Sequence, residues 1–199
     1  MKLLRAPFIL CWMFLRENEV GRRVAPHLAP GDRVLDLGAG TGRISRWLAR
    51  EAGIEPTLTD VVEYSNRSRG LPFLRMDDPY HVPADDRSFD AVLLLFALHH
   101  NPFEAQGKVL SEAARLTRGR VIVLEDTPIS RLDRAFNVAW DKVLNLRHRV
   151  PTPFAFRGVD EWWAMFEEQG LEVRHTETYR PRWPTLMTYR HTLFVLDRD

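Results

Sequence analysis

The stretch Val34-Leu35-Asp36-Leu37-Gly38-Ala39-Gly40-Thr41-Gly42 decides how the rest of the chain is interpreted. Its first half is typical of a buried strand, its second half has glycine at alternate positions, and a helical pattern begins directly after it. Glycine permits a positive φ and lets a ligand approach where a Cβ would collide. The first turn of a helix offers unpaired N–H groups to an anionic group. We therefore predict a ligand-binding loop between a strand and a helix.

The spacing of the glycines separates this loop from two common phosphate-binding loops. A dinucleotide fingerprint is Gly-x-Gly-x-x-Gly, whereas here the third glycine, Gly42, comes one residue early. A Walker loop requires Gly-Lys followed by Ser or Thr, and none follows. The loop also carries an acid, Asp36, two residues before its first glycine. An acid at that place suits a ligand with a cationic group and repels a pyrophosphate.

Around the loop, apolar runs alternate with helix-like patterns. The strand candidates are 33–37, 57–59, 73–76, 91–96, 121–124, 171–179 and 192–196. Helical spacing is found at 42–51, around Val109 to Leu116, at 130–147, and from Asp160 to Gly170. Strands that alternate with helices imply right-handed crossovers and a mostly parallel sheet. The proline-containing loop 180–184 between the last two runs predicts a hairpin, so the last strand is expected to be antiparallel.

Length and composition indicate one α/β domain over residues 1–199. We divide it into an N-terminal helical cap at 1–30, a ligand-binding core at 31–126, a helical insertion at 127–157, and a final helix with a strand hairpin at 158–199. The apolar run at 6–15 follows Lys2 and Arg5 as in a signal peptide, but Glu17 and Glu19 stand where a cleavage site belongs. We expect an amphipathic helix there.

Charge and cysteine content exclude several classes of function. The 28 Lys and Arg residues nearly balance the 27 Asp and Glu residues, which leaves a net charge of +1. A nucleic-acid partner is not expected, because such a protein needs a basic face. Cys11 is the one cysteine, so no internal disulfide can form and a reducing, cytoplasmic location is expected. No run reaches the ~20 apolar residues of a membrane-spanning helix.

The quoted stretch resembles the first motif of the class I S-adenosylmethionine-dependent methyltransferases. The run Val82-Pro83-Ala84-Asp85-Asp86-Arg87-Ser88-Phe89-Asp90 is similar to the family's approach to its fourth strand, and Leu98-His99-His100 is similar to the end of that strand in many small-molecule methyltransferases. The resemblance covers about residues 33–124. It implies a doubly wound, Rossmann-like sheet of seven strands with helices on both faces, S-adenosyl-L-methionine as cofactor, and methyl transfer to a small-molecule acceptor.

The same resemblance implies roles for residues at four strand ends. Asp60 matches the acid that holds the ribose, with Val61 beside it. Either Asp77 or Asp78 matches the acid that meets the adenine amino group, with Met76 next to them. From the loop and the fourth strand, the implied cofactor-binding residues are Asp36, Gly38, Ala39, Gly40, Gly42 and Phe96. The segment 61–70 is short, so its helix is expected to be stunted.

Side chains that could act on the acceptor follow the fourth and fifth strands, where open α/β sheets bind ligands. The candidates are His99, His100, Glu125 and Asp126. Histidine is the better base near neutral pH, but a structural or pocket-lining role for both histidines is the simpler interpretation. Two histidines with Asp126 could form a metal triad. Because adjacent side chains diverge, no metal is expected.

The insertion and the first helix supply the remaining acceptor-side candidates. Arg147-His148-Arg149 could recognise an anionic group or form a solvated helix end. Six aromatic residues could line an apolar acceptor cavity or pack in the core: Phe8, Trp12, Phe136, Trp140, Phe154 and Phe156. Two other functions stay open, a cofactor-binding cyclase or regulatory subunit of the same fold, and a nicotinamide-dependent oxidoreductase.

Overall fold

A computed structural model describes residues 7–64, 67–145, 153–181 and 190–198. Its strands form one seven-stranded sheet in the order β3-β2-β1-β4-β5-β7-β6. They are β1 (Arg33–Leu37), β2 (Glu55–Asp60), β3 (Phe73–Arg75), β4 (Phe89–Leu95), β5 (Thr117–Asp126), β6 (Leu171–Tyr179) and β7 (His191–Arg198). Strand β7 pairs antiparallel with β5 and with β6, whereas the other pairings in this sheet are parallel. The predicted mostly parallel sheet with an antiparallel last strand is confirmed.

Five α-helices are present in the described part of the chain, and four of them pack on the sheet. They are α1 (Pro7–Val24), α2 (Arg43–Glu51), α3 (Phe103–Leu116), α4 (Arg131–Asn145) and α5 (Val159–Glu168). Helices α1 and α2 pack on one face through Val20, Val24 and Leu48, and α3 and α5 pack on the other through Leu110 and Trp162. The predicted covering of both faces is confirmed. None of the described helices has the length and hydropathy needed to cross a bilayer.

The two central strands, β4 and β5, are buried on both faces, which explains their continuous apolar runs. In β5, Val121 and Val123 belong to the core layer under α3 and α5, whereas Ile122 and Leu124 belong to the layer under α1 and α2. The same alternation continues to the end of the strand, so Glu125 and Asp126 face opposite layers. Two neighbouring carboxylates are thereby directed to different sides of the sheet.

The strand order reverses between β1 and β4. Strand β1 pairs in parallel with β2 on one side and with β4 on the other. A reversal of this kind leaves a crevice at the carboxyl ends of the strands, which is where open α/β sheets bind their ligands. The glycine loop after Leu37 and the segment after Leu95 both lie at this edge, hereafter the carboxyl edge.

Two local features differ from the sequence-based expectations or refine them. Strand β4 ends at Leu95, and Leu98–His100 form a short 3₁₀ turn beyond it, so the two histidines lie outside the strand. The strand ends there because Phe96 has a φ of 58°, which a β-strand does not contain. Between β2 and β3 the described residues form no helix, in agreement with the expected stunting.

In the first half of helix α4, whose side chains the structure describes, the inward side chains are polar. Asp133 and Asn137, one helical turn apart, are buried. Leu132 and Phe136 are 66% and 52% exposed, and Ile129 just before the helix is 61% exposed. An amphipathic helix normally buries its apolar stripe, and core packing was the simpler expectation for Phe136. The structure overturns that expectation, because Asp133 and Asn137 occupy the inward positions beside Phe136.

Candidate functional site

The glycine loop is held in place by backbone hydrogen bonds to the end of β2. The N–H groups of Gly38 and Ala39 both donate to the carbonyl of Thr59, at 2.9 and 3.0 Å. Gly42 N–H donates to the carbonyl of Ala39 at 2.8 Å, which closes a tight turn. These N–H groups therefore bind the protein itself, and the loop contributes to a ligand site through its shape.

All three glycines of the loop have a left-handed backbone, but only one faces open space. The φ angles of Gly38, Gly40 and Gly42 are 77°, 54° and 66°. A Cβ on Gly38 would lie 2.8 Å from the Cβ of Ala97, and one on Gly42 would collide with the side chain of Leu58. A Cβ on Gly40 meets no atom within 4 Å. Two glycines are required for packing, whereas Gly40 keeps the crevice side of the loop clear.

Asp60 ties this loop to the second strand. Its carboxylate accepts hydrogen bonds from Gly40 N–H at 2.9 Å and from Val62 N–H at 3.0 Å. Burial raises the pKa of Asp60, and the backbone N–H groups lower it in part. Since a carboxylate can accept about four hydrogen bonds, the two contacts leave acceptor capacity for the hydroxyl groups of a ligand. Val61, predicted beside it, is exposed.

Asp36 is the buried anion beneath the loop. It is 3% exposed and accepts a hydrogen bond from the hydroxyl of Ser45 at 2.5 Å. Burial raises the pKa of Asp36 to about 6, an effect that the Ser45 hydrogen bond opposes and the charge of Asp60 increases. Ser45 was not predicted as a site residue. Its place on the inner face of the helix that follows the glycines was the available signal.

The three predicted residues that follow β3 differ in their surroundings. Met76 is buried, and its N–H donates to the carbonyl of Asp60 at 3.1 Å. The side chain of Asp77 is exposed and lies 4.0 Å from Arg75. Asp78 is committed to a turn, because its carboxylate accepts the N–H of Tyr80 at 2.8 Å. Asp77 therefore retains the greater capacity to bind a ligand group.

Beyond β4, Phe96 contacts three other elements at the carboxyl edge. Its N–H donates to the carbonyl of Leu124 at 2.7 Å, so the residue stays attached to β5 despite its positive φ. The guanidinium of Arg16 lies 4.1 Å from the centre of its ring, and the ring of His191 packs edge-on at 4.8 Å. Phe96 thus joins the first helix to the last strand.

His99 and Glu125 form a buried pair on the α3 and α5 side. The Nδ1 atom of His99 lies 2.6 Å from Oε2 of Glu125, and the other carboxylate oxygen accepts Leu98 N–H at 2.7 Å. The imidazole stacks on Phe156 at 4.8 Å. Because a carboxylate can only accept, His99 donates from Nδ1, and Nε2 becomes its basic nitrogen. The ring of the half-buried His100 lies 4.2 Å from that of His99.

A second pair, Asp126 and His191, lies on the opposite side of the sheet. The Oδ1 atom of Asp126 is 2.5 Å from Nδ1 of His191, and the ring of Tyr179 packs against this imidazole at 5.4 Å. Burial alone would raise the pKa of Asp126, but His191, His99 and Arg16 together hold it below its usual range. Sequence reasoning named Asp126 and missed His191 and Tyr179. An antiparallel last strand begins at the carboxyl edge, which was the usable signal.

The remaining acceptor-side predictions have mixed outcomes. Phe156 is buried and Phe154 is half-buried, with Lys142 5.3 Å from its ring. Arg147-His148-Arg149 lies outside the described residues, as do the side chains of Phe8, Trp12 and Trp140. Helix α1 itself is present, and its second half packs on α2, where Asn18 accepts the indole N–H of Trp47 at 2.8 Å.

Sequence comparisons relate the chain to methyltransferases. Residues 35–124 match the family described as "Methyltransferase domain". The chain is 30% identical over 166 residues to the ubiquinone/menaquinone biosynthesis C-methyltransferase UbiE of Cupriavidus metallidurans, covering 76% of this chain and 68% of that one. It is 27% identical over 191 residues to methyltransferase GfsG of Streptomyces halstedii, covering 85% and 66%. Across the curated relatives compared, the chain spans from 41% to 68% of their length.

Solved structures share the fold at low sequence identity. The 1,6-didemethyltoxoflavin-N1-methyltransferase of Burkholderia thailandensis, with S-adenosylhomocysteine bound, has a TM-score of 0.68 and 16% identity, covering 97% of this chain and 86% of that one. The [4+2]-cyclase SpnF has a TM-score of 0.67 and 17% identity, covering 90% and 80%. Proteins of this fold therefore include a methyltransferase and a cyclase.

Proposed function

Since the chain belongs to the class I S-adenosylmethionine-dependent methyltransferases, we propose that it transfers a methyl group from S-adenosylmethionine to a small-molecule acceptor. The observation that carries this proposal is the loop 38–42. Its three left-handed glycines leave space only at Gly40, between the buried anion of Asp36 and the carboxylate of Asp60. This arrangement suits a ligand with a cationic group and a ribose.

The residues present fit this cofactor at three points. Gly40 allows close approach to the backbone, because a Cβ there would point into open space. Asp60 has acceptor capacity for both ribose hydroxyls after its two backbone contacts. Asp36, and on the adenine side Asp77, supply negative charge for a cationic and an amino group. Met76 and Phe96 are the apolar neighbours that we assign to the same site.

When bound, the cofactor supplies a methyl group already activated by its positively charged sulfur. The chain then has to orient the acceptor, exclude water and, for an oxygen or nitrogen acceptor, remove a proton. We assign the last task to Nε2 of His99, because Glu125 holds Nδ1 and thereby fixes the tautomer and the orientation of the ring. His100 beside it is the second candidate for the same role.

UbiE is named as a C-methyltransferase of ubiquinone and menaquinone biosynthesis, and other relatives are named as demethylmenaquinone methyltransferases, which favours a quinone-type ring or its reduced form as the acceptor of this chain. We therefore include hydroquinones and phenols in the substrate class that we propose. The fold likeness to SpnF keeps one other function in view, namely cofactor binding with a cyclisation and no methyl transfer.

Calorimetric titration and product analysis test the proposal together. S-adenosylmethionine should bind with micromolar affinity, and NAD⁺ should not bind, because of Asp36 and the early third glycine. Incubation with methyl-labelled cofactor and a panel of phenols and hydroquinones should yield S-adenosylhomocysteine and labelled product in equal amounts. Binding of NAD⁺ in place of the cofactor overturns the proposal. Binding of the cofactor with turnover of an acceptor and no label transfer favours the cyclase.

A further inference from the structure

Two buried side-chain amides near the carboxyl edge differ completely in their hydrogen bonding. Gln106 is fully buried, and its Nε2 donates to the carbonyls of Leu98, Asn101 and Ala155 at 3.2, 3.3 and 2.8 Å. Its Oε1 accepts the guanidinium N–H of Arg157 at 2.6 Å. Both polar atoms of the Gln106 amide are therefore hydrogen-bonded, and they hold together the segments 98–101 and 155–157 near His99. Gln106 is thus the fully hydrogen-bonded amide with which the second amide is compared.

The second amide, Asn137 on the inner face of α4, is 2% exposed. Neither its Oδ1 nor its Nδ2 has a hydrogen-bond partner among the residues that the structure describes. A buried polar group without a partner is costly, and most such groups in proteins are bonded. An apolar residue could occupy this inner position at no such cost. The presence of an amide therefore indicates that a ligand group supplies its hydrogen bonds.

The position of Asn137 connects it with the acceptor side of the carboxyl edge. Helix α4 starts five residues after Asp126, the last residue of β5. Arg134, one turn before Asn137 on the same side of the helix, donates to the carbonyl of Phe156 at 2.8 Å. Phe156 in turn stacks on the imidazole of His99. The face of α4 that carries Asn137 is therefore the face turned toward the His99 pair.

We propose that the Asn137 amide binds a hydroxyl group of the acceptor. An amide offers a donor and an acceptor side by side, and a neutral hydroxyl group supplies the complementary pair. A charged ligand group is disfavoured at a buried position without an opposite charge, and the amide carries none. The inference rests on the proposed methyl transfer for the identity of the ligand, and it names the residue that would select hydroxyl-bearing acceptors.

Thermal stability of the apoprotein tests whether the amide is free of partners within the chain. Asn137→Leu keeps the branching at Cγ and removes both polar atoms, so Tm should stay constant or rise by about 2–4 °C. Gln106→Met, the matched control, removes an amide whose bonds are all made, so Tm should fall. Asn137→Ala repeats the test without added bulk. A fall in Tm for both Asn137 variants equal to that of Gln106→Met overturns the inference.

Binding of a defined probe tests the ligand. We would titrate protein saturated with S-adenosylhomocysteine with 1-naphthol and with naphthalene. The wild type should bind 1-naphthol about tenfold more tightly than naphthalene, and Asn137→Leu should remove this difference while S-adenosylhomocysteine affinity stays unchanged. Equal preference in both proteins, or no binding of 1-naphthol to the wild type, overturns the inference. Failure of the proposed function would give a different result, namely that the wild type does not bind S-adenosylhomocysteine.

Discussion

The cofactor half and the acceptor half of the carboxyl edge are built in different ways. The cofactor half is assembled from neighbouring backbone, because Gly38, Ala39 and Gly40 all bond to the end of the adjacent strand at Thr59 and Asp60. The acceptor half is assembled from side chains that distant elements bring together. Its two ionisable pairs join β5 to the turn after β4 and to the last strand. The first kind of site can be identified in a sequence, whereas the second requires the fold.

The acceptor half also divides in two at the end of β5. Glu125 faces the α3 side and holds His99, whereas Asp126 faces the α1 side and pairs with His191. Because Glu125 and Asp126 are consecutive residues of one strand, the two carboxylate–histidine pairs lie on opposite faces of the sheet. The following predictions test which features of each half are functional, from the largest expected effect to the smallest.

The largest effect is expected from Gly40→Val in the cofactor half. The branched side chain would point into the open space beside the loop and occupy the approach path of the cofactor. Cofactor binding should be abolished in a calorimetric titration, without unfolding. Gly31→Val is the matched control, because Gly31 also has a positive φ and open space around its missing Cβ, at the opposite edge of the sheet. Undiminished affinity in Gly40→Val would refute the loop assignment.

In the acceptor half, His99→Ala should lower the single-turnover rate of methyl transfer by roughly 10²–10⁴-fold. Cofactor affinity should hardly change. The wild-type rate should fall as pH drops from about 8 to 5, because the imidazole must be neutral to accept a proton, and the variant should lose that dependence.

Two further variants distinguish chemistry from structure at this histidine. Glu125→Gln retains the shape of the pair and removes its charge, so the rate should fall less than in His99→Ala. His191→Ala removes the equivalent ring on the other side of the sheet and should leave the pH profile intact. If His99→Ala keeps the wild-type rate and pH profile while only Tm falls, His99 is structural. If His191→Ala instead loses the pH dependence of the rate, the base belongs to the second pair.

In the cofactor half, Asp36→Asn should raise the stability of the protein at pH 7 and weaken its binding of the cofactor. Burial raises the pKa of Asp36 from 3.8 to about 6, so the folded protein binds a proton more readily than the unfolded chain does. The contribution of this group to stability is therefore present at low pH and is lost as pH rises through about 6. At pH 7 the variant should be more stable by up to ~3 kcal/mol, and at pH 4 by little.

The same variant should bind S-adenosylmethionine more weakly, because it lacks the buried negative charge. Denaturant unfolding at pH 4 and pH 7, together with titration at pH 7, measures both effects. Ser45→Ala is the control, since it keeps the charge and removes the hydrogen bond, and it should lower stability. A variant that is less stable than the wild type at pH 7 would contradict the assignment of a strained buried anion.

The smallest effect is expected from Asp60→Ala, which should weaken cofactor binding by about 1–3 kcal/mol. The variant loses the carboxylate that we assign to the ribose and the bond that fixes Gly40. Glu55→Ala, an exposed acid at the other end of the same strand, is the control and should leave affinity unchanged. A change below about 0.3 kcal/mol in Asp60→Ala would mean that the ribose partner lies elsewhere.

Much of the fold could be predicted from the sequence, because strand burial and glycine conformation leave local patterns. The predicted bounds 33–37 and 171–179 agree with β1 and β6, and the loop has the left-handed backbone that its glycines indicated. The acceptor half was harder to predict from the sequence. His191 and Tyr179 acquire their neighbours only when β7 lies beside β5, and the inward polar face of α4 runs against amphipathic periodicity.

The position of β7 between β5 and β6 has a consequence for the synthesis of this chain. Strand β6 leaves the ribosome before β7, yet its only partner in the described sheet is β7. At 5–20 residues per second, roughly, the open edge of β5 and the unpaired β6 wait about a second or more for residues 191–198. An exposed strand edge during that interval favours pairing with another nascent chain. A holdase chaperone that covers these edges should therefore increase the yield of folded protein, whereas slower translation should decrease it, because it lengthens the interval of exposure.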